Sequence, residues 1–178
     1  MHETADDLAA LQRLLDRSVA SGGPHLSSVL TPEHRLDAAS LAARLPGMRL
    51  LALATVTADG RPIVGPVDGI FYRGAFYFGT ATDAVRIRHI RARPWVSATH
   101  LPGEELAVTV HGRAVPIDTA AAGQAGFRRA LLDVYTPRYG PEWEAFMSAS
   151  VYCRIDADKM FTFVMEDDAR PPQEPGVA

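Results

Sequence analysis

The sequence predicts a mainly β protein with helices, an α+β chain whose six to eight short antiparallel strands close, or nearly close, into a barrel. Three observations carry that expectation. Apolar runs rich in β-forming residues recur at close spacing from Leu50 to Val164, turn pairs such as Asp59-Gly60 and Arg73-Gly74 separate them, and helical patterns fall at the start, middle and late part of the chain. Closure would also remove the exposed sheet edges that invite aggregation.

From Glu3 to Val19, Leu8, Leu11, Leu14, Leu15 and Val19 recur at three- and four-residue steps, the stripe of an amphipathic helix. Ser21-Gly22-Gly23-Pro24 stops it, and a loop is expected to about Arg35. Asp37 can cap a short helix through Leu45, ended by Pro46-Gly47. Leu50–Thr57 reads as a strand, and Ala58-Asp59-Gly60 reverses it into a return strand. That return strand carries Pro62 and Pro66, which donate nothing to a ladder, so it is expected at an edge or broken by a bulge. Ile70–Tyr72 and Ala75–Thr80, joined by Arg73-Gly74, read as a second hairpin. Thr82–Arg93 reads as a charged short helix ending before Pro94. Trp95–Leu101 and Leu106–Ile117 return to strand character, Ala120–Val134 is helical by composition, and Pro141-Glu142-Trp143-Glu144 opens another helix. Val151–Ile155 and Met160–Val164, flanking Asp156-Ala157-Asp158, are expected to form a closing hairpin. Residues 1–35 thus form a leader of helix and loop, 36–166 the barrel, and 167–178 a Pro-rich, acidic and disordered tail. The leader could cover a cleft or brace a dimer.

Composition narrows the functions. With 178 residues, 47% hydrophobic and 22% charged, the chain fits one globular domain. At this length folding buries roughly 70% of the unfolded surface, enough for a core without disulfide or metal. A net charge of -3 lacks the basic footprint of general nucleic-acid binding. Cys153 is the only cysteine, so no intramolecular disulfide and no cysteine-clustered zinc site can form, and no metal is expected. The setting expected is reducing and cytoplasmic. Met1-His2-Glu3 does not open a secretory signal, and no apolar run approaches the ~20 residues that span a bilayer, so a soluble protein with no membrane partner is expected. Lys159 is the sole lysine among 18 Lys and Arg residues, a composition of GC-rich coding.

No Gly-x-Ser-x-Gly elbow and no glycine-rich phosphate loop is present, and the histidines are scattered, so hydrolysis and a dinucleotide fold have little support. Catalytic residues are not legible. What remains is Thr80-Ala81-Thr82 feeding a helix that carries Arg86, Arg88 and His89. Strand-end hydroxyls, free helix amides and guanidinium groups together can hold a phosphoryl group. The alternative is a solvated arginine face.

Several stretches, in this order, resemble one family. They are Leu53-Ala54-Thr55-Val56, Asp59-Gly60-Arg61-Pro62, Phe76-Tyr77-Phe78-Gly79-Thr80, the Arg86-x-Arg88-His89-Ile90-Arg91-x-Arg93-Pro94-x-Val96-Ser97 segment and Gly112-Arg113-Ala114. The closing Tyr152-Cys153-Arg154-Ile155 and Lys159-Met160-Phe161-Thr162 add to them. The chain resembles the pyridoxamine 5'-phosphate oxidase-like proteins with the FMN-binding split barrel, including the actinobacterial branch that uses the deazaflavin F420. The resemblance implies a split-barrel oxidoreductase that moves hydride between F420 or FMN and a small organic substrate. It also implies a homodimer with cofactors between the subunits, each ring lying against the strand at Pro66, Val67 and Asp68. By position, Thr80 and Thr82 would lie near the cofactor phosphate. Arg86 would replace the family's usual lysine, and His89 would orient the phosphate loop or cap the helix. Ala84 departs from the family, many of whose members carry serine there. With the arginine-rich composition, that favours F420 over FMN and leaves both open. Trp143 and Tyr152, from the partner subunit, are candidates for a substrate wall, although both could simply fill a dimer core. The acidic end from Glu166 to Pro172 lacks the basic, aromatic segment of true pyridoxamine phosphate oxidases, so vitamin B6 oxidation is disfavoured. The alternative function is a non-catalytic split barrel that sequesters or senses a flavin or haem. His111 and Cys153 are assigned no role.

Overall fold

The computed structural model describes residues 2–165. Met1 and the acidic, Pro-rich segment 166–178, with the disorder expected of it, lie outside the described residues. Helix α1 (Ala5–Ala20) opens on a capping box between Thr4 and Asp7. The expected loop to Arg35 instead holds a short helix α2 (Pro24–Val29), started by Pro24 at its first position, and one 3-10 turn at Pro32–His34. Helix α3 (Ala38–Arg44) is capped by the Asp37 carboxylate, which accepts from the Ser40 amide at 2.7 Å.

The barrel strands are β1 (Met48–Val56), β2 (Pro62–Tyr72), β3 (Ala75–Ala81), β4 (Trp95–His100), β5 (Leu106–Ile117) and β6 (Ser150–Val164). They are antiparallel and close in the order β1-β2-β3-β6-β5-β4, so the expected barrel has six strands. Helix α4 (Val85–Ala92) links β3 to β4, and α5 (Ala125–Tyr139) with α6 (Trp143–Ser148) links β5 to β6. The β2–β3 connection is a two-residue turn, with Arg73 at φ 50 and Gly74 at φ 78. Positive φ at both central residues matches the twist of a tight hairpin.

Two expected strand breaks are absent. β2 runs unbroken through Pro66 to Tyr72 because Pro66 pairs only with Ala52 of β1, and no second neighbour asks for its missing N–H. Its first half is thus the expected edge, continuous with what was read as a separate strand. β6 likewise runs straight through Asp156-Ala157-Asp158, where a bulge opposite His111/Gly112 absorbs the irregularity instead of a turn. Helix α5 begins later and ends later than expected, with Pro137 tolerated in its last turn.

One core fills the barrel, with Phe76, Phe78, Leu51, Val108, Val110, Ile155 and Met160 buried in it. Leu11, Leu14 and Leu15 of α1 and Leu41 and Leu45 join the same core. Each such burial is worth about 1.5–3 kcal/mol. Polar ties fix the leader to β6: the buried Ser18 hydroxyl accepts from the Met160 amide at 2.9 Å, and Thr162 Oγ1 accepts from the Leu36 amide at 3.0 Å. Among the described residues no helix is long and apolar enough to cross a membrane.

Candidate cofactor cleft

β2 and β3 pair only from Gly69↔Phe78 to Tyr72↔Ala75. Beyond that point β2 stays with β1 as far as Val56↔Pro62, while β3 stays with β6 as far as Ala81↔Ser150. The barrel wall therefore splits, and a cleft of about 780 Å³ occupies the split. Pro66, Val67 and Asp68 line it from β2, Gly79, Thr80 and Ala81 from β3, and Tyr152 from β6. The α5–α6 connection forms its far wall.

At one end stands Arg86, in the first turn of α4, half-buried. Its guanidinium donates to the Pro66 carbonyl at 3.1 Å and lies 3.2 Å from where a side chain on Gly65 would begin. That bond holds a positive charge over the open edge of β2. Ala84 is the N-cap of α4 and supplies no side-chain acceptor to the helix amides. The half-buried Thr80 hydroxyl stands on the same cleft wall.

Stacked aromatics make up another part of the lining. Tyr135 stacks on Trp143 with centroids 4.5 Å apart and planes 16° apart, and Tyr139 continues the stack at 6.1 Å. Tyr152 crosses β3 at Gly79, where an added Cβ would sit 2.9 Å from the Tyr152 ring, so the missing side chain seats the phenol. Tyr135 and Tyr152 are each 5% exposed, yet both line the cleft. Burial, and then the Asp68 carboxylate, push both phenols well above their ordinary range, which keeps them protonated donors at neutral pH.

The structure thus gathers Pro66, Val67, Asp68, Thr80, Arg86, Trp143 and Tyr152 around one cleft. It does not gather Thr82 or His89. Thr82 is exposed and outside the cleft lining, because β3 ends at Ala81 and the chain turns away into α4. The His89 ring faces β1 instead, with Nδ1 3.0 Å from the buried Thr55 hydroxyl, so it braces α4 against the barrel. Arg88 and Arg91 are exposed and do not line the cleft. Trp143 and Tyr152 line the same cleft as Arg86 within one chain. The leader contributes no residue to the cleft. Sequence reasoning missed Leu50, Tyr135, Tyr139, Glu142 and Phe146. The available signal was Tyr135, Tyr139 and Trp143 at four-residue steps, one face of a helix carried across Gly140. Cys153 is fully buried, and burial pushes its thiol up to about 12, an inert group. His111 is exposed and pairs with the Ser97 hydroxyl at 2.8 Å across β4 and β5.

Residues 38–160, well over half of the chain, match the family described as pyridoxamine 5'-phosphate oxidase. The chain belongs to this family. The six-stranded barrel split between β2 and β3 is accordingly the pyridoxamine 5'-phosphate oxidase split barrel. Among solved structures, a conserved hypothetical protein of Mycobacterium tuberculosis superposes with a TM-score of 0.66 at 18% identity, covering 83% of this chain and 97% of that one. The haem storage protein of Vibrio cholerae gives 0.53 at 20% identity, over 65% of this chain and 85% of its own. An F420 reductase gives 0.51 at 20% identity, over 66% and 93%. At these identities the likeness is one of fold. No curated protein matches the chain.

Proposed function

We propose that this protein is an oxidoreductase that binds F420 or FMN in the β2–β3 cleft and transfers hydride between that cofactor and a small organic molecule. The observation that carries the reading is the lining of the cleft, which brings the Arg86 guanidinium and the Thr80 hydroxyl together with stacked aromatics. A guanidinium beside a hydroxyl and uncapped helix amides suits a phosphate, and Val67 with the aromatic wall suits a planar ring. When bound, the tricyclic cofactor supplies the hydride chemistry. The chain itself anchors the anionic handle through Arg86, offers two phenol donors, and shields the ring from water with the α5–α6 wall. The exposed apolar side chains Leu50, Ile63 and Val64, on the β1–β2 side of the cleft, support a homodimer that closes over it.

The missing hydroxyl at Ala84, the N-cap of α4, favours the phosphodiester of F420 over the phosphate monoester of FMN, which calls for more donors. Titration of the purified protein with F420, FMN and haem, followed by quenching and absorbance, tests the reading. Saturable F420 quenching, tighter than FMN binding and accompanied by oxidation of reduced F420 by an added acceptor, is expected. Tight FMN retention with no F420 quenching reverses the cofactor choice. Binding without any turnover supports a sequestering protein, and binding of none of the three overturns the proposal.

A further inference from the structure

The aromatic half of the cleft carries a charge of its own that the cofactor reading does not use. Asp68 is half-buried on β2 and lines the cleft, as does Glu142 just before α6, and neither forms an ion pair among the described residues. Among the described residues the one lining cation, Arg86, is engaged at the Pro66 carbonyl. Two carboxylates therefore share the cleft lining with the Tyr135–Trp143 stack, neither of them neutralised by a salt bridge among the described residues. The electron-rich faces of tyrosine and tryptophan attract cations, and a nearby carboxylate adds to that attraction. The same wall already draws one: the Arg138 guanidinium lies 5.5 Å from the centre of the Tyr139 ring. The Tyr135 and Tyr152 hydroxyls, on rings that are themselves mostly buried, offer lone pairs that can accept from an N–H of the same ligand.

We infer that the half of the cleft formed by Tyr135, Tyr139, Trp143, Asp68 and Glu142 is the substrate subsite, and that its substrate class is a flat organic cation, an N-alkylated or protonated heteroaromatic amine. This rests on the proposed function, because it assigns Arg86 to the cofactor and leaves the acidic, aromatic lining to the second molecule. Each molecule is then selected by the opposite charge, which disfavours either binding in the other's place.

The test uses apo protein carrying Trp95→Phe, an exposed residue outside the cleft, so that Trp143 is the only tryptophan. N-methylquinolinium and quinoline, alike in shape and differing in charge above neutral pH, are titrated against Trp143 fluorescence. The cation is expected to bind about tenfold more tightly, as a cation over partly desolvated aromatic faces should. Asp68→Asn is expected to remove most of that preference, and the exposed Glu142→Gln, which poses no threat to folding, part of it. Equal binding of the two probes, or a preference that survives both substitutions, overturns the inference. Arg86→Glu separates this outcome from the cofactor reading. It is expected to weaken F420 and FMN binding while leaving N-methylquinolinium affinity unchanged or higher. Cofactor affinity unmoved by Arg86→Glu would sink the cofactor reading and leave the cation result standing by itself.

Discussion

The barrel interior and the β2–β3 cleft are both largely apolar, yet they are built from different side chains. The interior, sealed by α1 and α3, is dominated by Leu, Ile, Val and Ala, with Phe71, Phe76 and Phe78 among them. The packing outside the wall gathers Tyr77, Phe127, Tyr135, Trp143 and Tyr152. Aliphatic side chains fill space without polar atoms, whereas tyrosine and tryptophan offer an apolar face and a polar tip. The first composition suits a core that holds the fold, and the second a surface that can also meet a ligand.

Substitutions should separate the two. Phe76→Ala, at a fully buried ring in edge-to-face contact with Phe71 at 5.0 Å, is expected to cost about 3–5 kcal/mol in urea unfolding. The fraction that remains folded should bind cofactor normally. Gly79→Ala should behave differently, because the new Cβ meets the Tyr152 ring at 2.9 Å and pushes it across the cleft. A cost of about 1–3 kcal/mol is expected, accompanied by a loss of cofactor affinity that Phe76→Ala does not cause. Comparable affinity losses in both variants would erase the distinction between the regions.

Much of this contrast was written in short-range signals. The stripe of leucines in α1, the Asp59-Gly60 and Arg73-Gly74 turns and the alternation in β5 are local features that the fold obeys. The unbroken courses of β2 and β6 were not legible, because whether Pro66 or Asp156-Ala157-Asp158 interrupts a strand depends on which neighbour lies on each side. At the cleft, Arg86 and Thr80 could be located because they flank one strand-to-helix junction. His89 could not be placed, since its partner Thr55 is far away in sequence on β1. Tyr139 and Phe146 were missed because a wall between two helices is a property of their packing.

pH offers a smaller effect confined to the aromatic region. The Tyr135 and Tyr152 phenols titrate above their ordinary value of 10.0 in the folded protein, for burial first and Asp68 second. A folded-state pKa raised in this way gives stability that is complete below 10.0 and is lost as pH rises through the folded value. Thermal melts should therefore fall on the alkaline side, and Tyr152→Phe should flatten that fall while leaving the neutral-pH melt little changed. A slope identical in wild type and variant would assign the alkaline loss elsewhere. The smallest effect is expected at Ala84, where Ala84→Ser restores an N-cap acceptor to α4 and should add about 0.5–1 kcal/mol without affecting the interior.

The claim that the split between β2 and β3 grips an anionic redox cofactor is tested most directly at Arg86, by fluorescence titration of F420 and FMN against wild type, Arg86→Lys and Arg86→Glu. The account predicts that Arg86→Lys retains most of the affinity, while Arg86→Glu loses on the order of tenfold or more, as expected when a charge-assisted contact is reversed. Melting temperature should hardly change, because among the described residues the guanidinium makes one hydrogen bond, to the Pro66 carbonyl, and no salt bridge. Equal affinities across the three proteins would contradict it.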